Sequence, residues 1–287
     1  MNLFEIGDLS NKEIVEILEL AKEFKAGKQV DFKNQKIVAN LFFEPSTRTH
    51  YSFVVAAYKL GCRVLDFDPI SSSLGKNETF YDTVKFFEAI EADAIVIRSK
   101  ENKYFEKLNN VKVPILNGGD GTNAHPTQSL LDLLTIYESF NTISNLNILI
   151  VGDIKHSRVA HSNIEMLERL NNKVYLSGPK QFQEEGLFFV DIDEYIDKVD
   201  VVMLLRVQFE RHSEEFDITS REYLEEYGLN FKRYTKLKDE AIIMHPGPVN
   251  RMVEVDDFVV ECSKSRILEQ VNNGLYIRMA VLYNALK

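Results

Sequence analysis

Three hydroxyls and a guanidinium occur together at Ser46 to Thr49, a combination of residue types suited to binding an anion. An apolar run of strand length precedes them at residues 36–43, and apolar side chains at helical spacing follow at residues 51–60. The polar residues therefore lie where a helix begins, and the first backbone N–H groups of a helix carry partial positive charge. A phosphate can be held there by main chain, hydroxyls and Arg48 together. The alternative is an ordinary N-cap serine beside an unrelated surface arginine, since serine is a common N-cap residue.

Other polar residues follow further apolar runs of strand length. Each has a plainer alternative, because an arginine can pair with one of the many acidic residues and a histidine can cap a helix. In open α/β sheets, however, ligands bind beyond the carboxyl ends of the strands, so these residues are expected to gather there. The candidates are Ser72 to Lys76, Arg98, the glycine-rich segment 117–124 with His125, Arg158, Arg206 with Gln208, and His245 to Pro248.

The elements that must position these residues alternate between strands and helices. Helical patterns such as residues 11–26 and 78–89 are interleaved with strand-length runs, and this alternation predicts parallel sheets covered by helices. The predicted strands span residues 36–43, 63–67, 94–97 and 113–116 in one series, and residues 147–152, 174–176, 199–205 and 241–244 in a second.

The length of the chain favours two domains, because 287 residues exceed the usual size of one domain. We predict an α/β protein with two domains, each a mainly parallel sheet flanked by helices. A C-terminal helix is expected to pack back across the domain junction. The predicted limits are residues 1–137 and residues 138–267, with residues 268–287 returning to the first domain.

Composition and charge argue against several classes of protein. Lys and Arg number 34 against 44 Asp and Glu, and the net charge of −10 disfavours a general role in coating nucleic acid. The sequence shows no secretion signal and no apolar run approaching ~20 residues, so we expect a soluble cytoplasmic protein without membrane contact. Cys62 and Cys262 form no CxxC pair, which argues against a cysteine-rich metal site. No GxGxxG motif follows the strand before Gly152, so a nicotinamide cofactor is not expected.

Four segments, taken in order along the chain, resemble the aspartate carbamoyltransferases of the aspartate/ornithine carbamoyltransferase superfamily. They are FFEPSTRT at residues 42–49, GDGTNAHPTQSLLDLLTI at 119–136, LLRVQFER at 204–211 and HPGPVNR at 245–251. STRT and HPTQ are shared with the ornithine enzymes and establish only the superfamily. The second half favours the aspartate branch, because ornithine enzymes carry HCLP and SMG motifs, whereas residues 245–248 read HPGP and SMG is absent.

This resemblance implies an activity and its partners. In such enzymes the amine of L-aspartate attacks the carbonyl carbon of carbamoyl phosphate, which gives N-carbamoyl-L-aspartate and phosphate in de novo pyrimidine (UMP) biosynthesis. The resemblance implies no metal and no organic cofactor. It also implies a carbamoyl phosphate domain, an aspartate domain and a homotrimer with shared active sites. It leaves open whether regulatory chains or other pathway enzymes bind.

The resemblance assigns most of the site to the binding and activation of carbamoyl phosphate. Thr49, Arg98 and His125 would converge on the carbonyl oxygen, where negative charge grows in the transition state, and Arg48 would act with them on the phosphate. Gln128 and the backbone at Gly247 would hold the carbamoyl amino group. The full set implied for carbamoyl phosphate is Ser46, Thr47, Arg48, Thr49, Arg98, His125, Gln128, Gly247 and Pro248.

The remaining implied residues bind aspartate. Arg158 and Arg206, assisted by Gln208, would clamp its carboxylates, since a planar guanidinium fork suits a carboxylate better than a lysine does. Ser72 and Lys76 would enter the site from a neighbouring subunit, and Lys76 would also contact aspartate. Ser73 is an alternative to Ser72, because it begins the SLG string next to Lys76.

One residue departs from the family pattern and keeps alternatives open. The family usually reads STRTR, whereas the fifth position here is His50, so a second permanent cation is missing. We expect altered electrostatics or stability at this helix start rather than loss of activity. The alternatives are an ornithine or putrescine carbamoyltransferase, which Arg158 and Arg206 disfavour, and a non-catalytic paralogue, which His50 leaves open.

Overall fold

The computed structural model describes residues 1–70, 72, 77–207 and 218–287. The chain divides into two compact units, which we call unit 1 (Met1–Leu131 and Val271–Lys287) and unit 2 (Asp132–Gln270). Each unit contains a four-stranded parallel sheet accompanied by helices, which confirms the predicted fold class. The functional domain limits at residues 137 and 267 stay predictions. No helix within the described ranges is both long and apolar enough to cross a membrane.

Unit 1 is built on a sheet of strand order β2-β1-β3-β4. Its core packs Leu41 of the first strand against Ile95 and Ile97 of the third, all fully buried. The first helix begins at a capping box formed by Ser10 and Glu13. The elements are α1 (Asn11–Lys25), β1 (Ile37–Phe42), α2 (Thr47–Lys59), β2 (Arg63–Phe67), α3 (Phe80–Ala89), β3 (Ala94–Ser99) and β4 (Ile115–Asp120).

Unit 2 repeats the same arrangement with strand order β6-β5-β7-β8. Leu149, Val202 and Ile243, one from each of three neighbouring strands, lie in its buried core. The elements are β5 (Asn147–Val151), α5 (Arg158–Arg169), β6 (Lys173–Ser177), α6 (Ile192–Tyr195), β7 (Val201–Leu204), α7 (Ser220–Glu226), α8 (Phe231–Tyr234) and β8 (Ile242–Met244).

Two further helices contribute residues to both units. Helix α4 (Pro126–Phe140) belongs to unit 1 as far as Leu131 and to unit 2 from Asp132 onwards. Helix α9 (Ile267–Leu286) belongs to unit 2 as far as Gln270 and to unit 1 from Val271 onwards. The chain therefore crosses between the units within regular helix rather than in a loop.

The fourth strand extends further than its apolar pattern predicts. The prediction ends at Leu116, but β4 runs to Asp120 through two glycines. The added residues pair with β3, where Asn117 lies opposite Ile97 and Asp120 opposite Ser99, and the N–H of Asn117 also donates to the carbonyl of Leu3 at 2.9 Å. Arg98 likewise lies inside β3, paired with Phe42, and not after the strand.

Both strand orders place a topological switch point between two neighbouring strands. In unit 1 the order reverses between β1 and β3, and in unit 2 it reverses between β5 and β7. Ligands of open α/β sheets bind at such points, beyond the carboxyl ends of the strands. Ser46 and Arg98 lie at the first switch point, while Arg158 and Arg206 follow the two strands of the second.

Candidate active site

The helix start at Ser46 has the geometry of an anion-binding site. Ser46 is the N-cap residue of α2, with extended backbone, but its side chain forms no capping hydrogen bond. By contrast, Ser10, Thr79, Ser157 and Thr219 each accept a capping N–H at their own helix starts. Arg48 is exposed in the first turn and forms no ion pair within the described part of the chain. An ordinary N-cap would use the Ser46 hydroxyl, so this geometry favours the anion hypothesis.

His125 and Thr49 approach each other in the buried part of unit 1. The Thr49 Oγ1 lies 3.4 Å from the His125 Nε2, a long contact, and both side chains are buried. The carbonyl of His125 accepts the N–H groups of Gln128 and Ser129, which anchors the histidine at the start of α4. Gln128 itself is buried in the first turn of α4. The resemblance assigns these residues to one substrate, and the fold brings His125 close to Thr49 in the first turn of α2.

Arg98 contacts a carboxylate and a backbone carbonyl within unit 1. Its Nε lies 2.7 Å from the Glu44 Oε1, and its NH1 donates to the carbonyl of Gly118 at 3.1 Å. Glu44 follows the end of β1, which pairs with β3. This ion pair was not predicted from the sequence, because its two residues meet only through the order and register of the strands.

The glycine-rich segment before His125 is a compact turn organised around the Asp120 carboxylate. Asp120 is completely buried and accepts four N–H groups, one of which belongs to Ala124. Burial raises the pKa of Asp120, and the hydrogen bonds oppose this shift. Gly121 has a φ of +46°, and a Cβ there would lie 1.7 Å from the Asn102 Oδ1, so only glycine fits. Asp120 therefore organises the turn that leads to His125, a role that was not predicted from the sequence.

The two arginines of unit 2 lie on segments that run close together. Gly152, directly after β5, has a φ of +133°, and a Cβ there would lie 2.9 Å from the Cβ of Leu205. Glycine therefore lets the loop after β5 pass the residue before Arg206. The same loop leads to Arg158, the first residue of α5, and Asp153 orders it by accepting the N–H and Nδ1 of His156.

The turn at His245 to Pro248 is held by polar contacts at its start. The N–H of Gly247 donates to the His245 Nδ1 at 2.9 Å, and the N–H of His245 donates to the Gln270 Oε1 at 2.8 Å. Gln270 in turn donates to the buried Asp132. Gly247 has a φ of +67° and is followed by a cis peptide bond to Pro248. Gln270, itself bound to Asp132, thus holds the His245 to Pro248 turn, which is predicted to contact a substrate. Neither Gln270 nor Asp132 was predicted from the sequence.

Glu254 connects this turn to the segment that carries Arg206. Its buried carboxylate accepts the N–H of Val207 at 2.7 Å and the N–H of Asn250 at 2.8 Å. The Asn250 side chain also donates to the carbonyl of Val207 at 2.9 Å. Burial raises the pKa of Glu254 to about 7, although the accepted N–H groups act in the opposite direction. No local pattern marks Glu254, because its partner Val207 is distant in sequence.

Lys76, Ser73 and Gln208 lie outside the described residues. Ser72 is described, and its Oγ donates to the carbonyl of Pro69 at 2.9 Å. His50, at the position where the family usually has arginine, has its Nε2 2.9 Å from the Asp66 Oδ1 of β2. Within the described ranges, no group of three or more His, Cys, Asp or Glu side chains is arranged to hold a metal ion.

Two family models match the chain and together span nearly all of it. Residues 1–138 match the aspartate/ornithine carbamoyltransferase carbamoyl-P binding domain, and residues 144–285 match the Asp/Orn binding domain of the same family. The chain is 50% identical to the aspartate carbamoyltransferase catalytic subunit of Listeria welshimeri over 290 residues, covering 100% of this chain and 96% of that protein. It is also 50% identical to that of Staphylococcus epidermidis over 286 residues, covering 98% of each.

The fold is similar to that of a solved enzyme with a bound ligand. Aspartate transcarbamoylase from Trypanosoma cruzi, in complex with N-(phosphonacetyl)-L-aspartic acid, superposes with a TM-score of 0.89 at 29% sequence identity. The match covers 100% of this chain and 96% of that one.

Proposed function

The chain belongs to the aspartate/ornithine carbamoyltransferase family, and we propose that it transfers the carbamoyl group of carbamoyl phosphate to the amine of L-aspartate. The products are N-carbamoyl-L-aspartate and phosphate. The relatives at about 50% identity are named for this activity, and the match covers 96% and 98% of their length. The reaction belongs to de novo pyrimidine biosynthesis and takes place in the cytoplasm.

The observation that carries this proposal is the different chemistry of the two switch points. Unit 1 offers an N-cap hydroxyl without a capping bond, an exposed Arg48 and the buried pair Thr49 and His125, which suit a phosphate joined to a carbonyl. Unit 2 offers Arg158 and Arg206, which suit the two carboxylates of aspartate. A diamine such as putrescine has no carboxylate for either guanidinium. The Trypanosoma cruzi neighbour binds N-(phosphonacetyl)-L-aspartic acid, which contains both chemical groups.

The reaction requires charge stabilisation rather than a covalent intermediate with the protein. The amine nitrogen of aspartate bonds to the carbonyl carbon, the bond from that carbon to the phosphate oxygen breaks, and the departing phosphate accepts the amine proton. Thr49, Arg98 and His125 stabilise the charge that grows on the carbonyl oxygen, at ~3–4 kcal/mol per donor. Glu44 holds Arg98 in place through their 2.7 Å ion pair. Ser46, Thr47 and Arg48 hold the phosphate and favour its departure.

The carbamoyl amino group is recognised by hydrogen-bond acceptors. Gln128 supplies a side-chain oxygen, and the backbone at Gly247 and Pro248 supplies carbonyl oxygens. An amino group donates to these acceptors, whereas a methyl group cannot, so this contact selects a carbamoyl over an acetyl group. Arg158, Arg206 and Gln208 orient aspartate, and Lys76 joins them.

An assay with several amines tests the proposed function. Phosphate release from carbamoyl phosphate is measured with L-aspartate, L-ornithine and putrescine, each in excess. We expect turnover with L-aspartate and only background release with the other two amines. Preferential turnover with ornithine or putrescine would assign the chain to another branch, and no turnover with any amine would favour the non-catalytic paralogue.

We further propose a homotrimer whose active sites are shared between subunits. Tyr51, Val55 and Tyr58 support a self-association surface, because they form one face of α2 and are 60%, 41% and 61% exposed. Ser72 and Lys76 complete the site of a neighbouring subunit, with Ser73 as the alternative to Ser72. Regulatory chains or other pathway enzymes stay open as additional partners.

Hybrid trimers test the shared site. Arg48→Ala and Lys76→Ala subunits are each expected to be inactive alone, because every site lacks one residue. After mixing, a site that takes Arg48 from one subunit and Lys76 from its neighbour is intact, which applies to roughly a quarter of sites in a random equimolar mixture. Activity is measured after dissociation and reassembly of the mixture.

A second mixture serves as the matched control for the hybrids. Arg48→Ala and His125→Ala subunits should show no recovery, since both residues belong to the same subunit's part of each site. Well-folded hybrids of Arg48→Ala with Lys76→Ala that stay inactive would contradict a site shared through Lys76.

A further inference from the structure

The turn before His125 contains a buried anion whose hydrogen-bonding partners are all N–H donors. The Asp120 Oδ1 accepts the Asn117 side chain at 2.8 Å and the Ala124 N–H at 3.1 Å. The Oδ2 accepts the Lys103 N–H at 2.8 Å and the Asn123 side chain at 2.9 Å. Four donors on two oxygens match an ionised carboxylate, which only accepts hydrogen bonds.

This hydrogen-bonding pattern cannot be satisfied by a neutral isostere. Each oxygen of Asp120 faces one backbone N–H, from Ala124 on one side and Lys103 on the other, and a backbone donor cannot be reversed. The Asn117 amide is also fixed, because its Oδ1 accepts the Gly119 N–H at 2.8 Å while its Nδ2 donates to Phe4. An asparagine at position 120 would therefore place its NH₂ group against a fixed N–H in either orientation.

The same turn determines where His125 lies. Ala124, the residue before His125, donates its N–H to the Asp120 side chain, and its carbonyl accepts the N–H of Asp120 at 3.2 Å. The turn is anchored elsewhere in unit 1, because Asn123 also donates to Glu5 at 2.7 Å. The backbone on the N-terminal side of His125 thus depends on the Asp120 carboxylate, while α4 holds its C-terminal side.

We propose that Asp120 is a positioning residue for the carbamoyl transfer step, acting through Ala124 on the placement of His125. This inference rests on the proposed function. Asp120 is buried and contacts neither substrate; its effect is to hold the imidazole where the carbonyl oxygen develops charge. A small misplacement of such a donor reduces the rate strongly while substrate binding by other residues persists.

Kinetics of Asp120→Asn test this proposal. We expect kcat to fall by about 10- to 100-fold. The aspartate KM, which reports unit 2, and the inhibition constant of inorganic phosphate, which reports the Ser46 to Thr49 cradle, should stay close to those of the wild type. Asn123→Ala, which removes one of the four donors, should also lower kcat, but by a smaller factor. This variant replaces Asp120→Asn as the test if Asp120→Asn does not fold.

Asp93→Asn is the matched control for this experiment. Asp93 also accepts a backbone N–H, from Ile37 at 2.8 Å, and pairs with Lys36 at 2.9 Å, but it lies before β3, at the opposite end of the strands. We expect Asp93→Asn to lower the melting temperature without lowering kcat. A kcat of Asp120→Asn and Asn123→Ala equal to that of Asp93→Asn would overturn the positioning role. Wild-type protein that turns over no aspartate would instead overturn the proposed function.

Discussion

We expect Arg206→Ala to raise the aspartate KM by at least about 30-fold, because truncating one partner of a hydrogen-bonded charge pair costs about 2–5 kcal/mol. Carbamoyl phosphate should still bind with nearly wild-type affinity, since the residues proposed to hold its phosphate belong to unit 1, at the start of α2. The two effects are separated by measuring the aspartate KM at saturating carbamoyl phosphate, and the dissociation constant of carbamoyl phosphate without aspartate.

Two further variants test whether the effect of Arg206→Ala is specific to a guanidinium at this position. Arg206→Lys keeps the charge but loses the planar fork, so it should recover only part of the aspartate affinity. Arg221→Ala removes an exposed arginine of the same unit whose partner is Glu225 on the same helix at 3.1 Å, and it should leave the KM unchanged. An equal loss of aspartate and carbamoyl phosphate binding in Arg206→Ala would contradict the proposed division of roles.

We expect His125→Ala to lower kcat by about 10²–10³-fold, the effect of removing one donor to a developing oxyanion. The imidazole lies 3.4 Å from Thr49 Oγ1 in a buried environment, where the lost interaction is not replaced by water as effectively as at the surface. The aspartate KM should change far less than kcat, since the interaction strengthens in the transition state. Steady-state kinetics at saturating carbamoyl phosphate provide both values.

His161→Ala is the control for this second variant. His161 is half-buried on α5 of unit 2, where its Nε2 lies 2.9 Å from the Glu184 Oε2, and it is not among the proposed site residues. We expect an unchanged kcat. A His125→Ala enzyme with a raised carbamoyl phosphate KM and a normal kcat would show that His125 binds the ground state and does not stabilise the transition state.

The parts of the site that the sequence predicts are those with a local pattern. The helix start at Ser46 is visible because an apolar strand, polar residues and helical spacing follow one another within a few turns of chain. The structure has Ser46 at that helix start, and it adds that the hydroxyl forms no capping bond. The family is also predicted correctly, because four motifs occur in order.

The parts that the sequence did not reveal depend on contacts between distant residues. Glu44 meets Arg98 only because β1 and β3 are neighbours in register, and β4 extends to Asp120 because its last residues pair with the end of β3. Glu254 likewise reaches Val207 through the fold of unit 2. Hydrophobic periodicity carries no information on strand order, so these supporting residues are identified only in the three-dimensional structure.

The most direct test of the central claim is identification of the carbamoylated product. The purified protein is incubated with carbamoyl phosphate labelled with ¹³C at the carbonyl carbon and with an equimolar mixture of L-aspartate and L-ornithine, and the labelled products are resolved by NMR. We predict one labelled product, N-carbamoyl-L-aspartate, formed in a one-to-one ratio with phosphate. Label in citrulline, or phosphate release without label in an amino acid, would contradict the assignment of the chain to aspartate carbamoyl transfer.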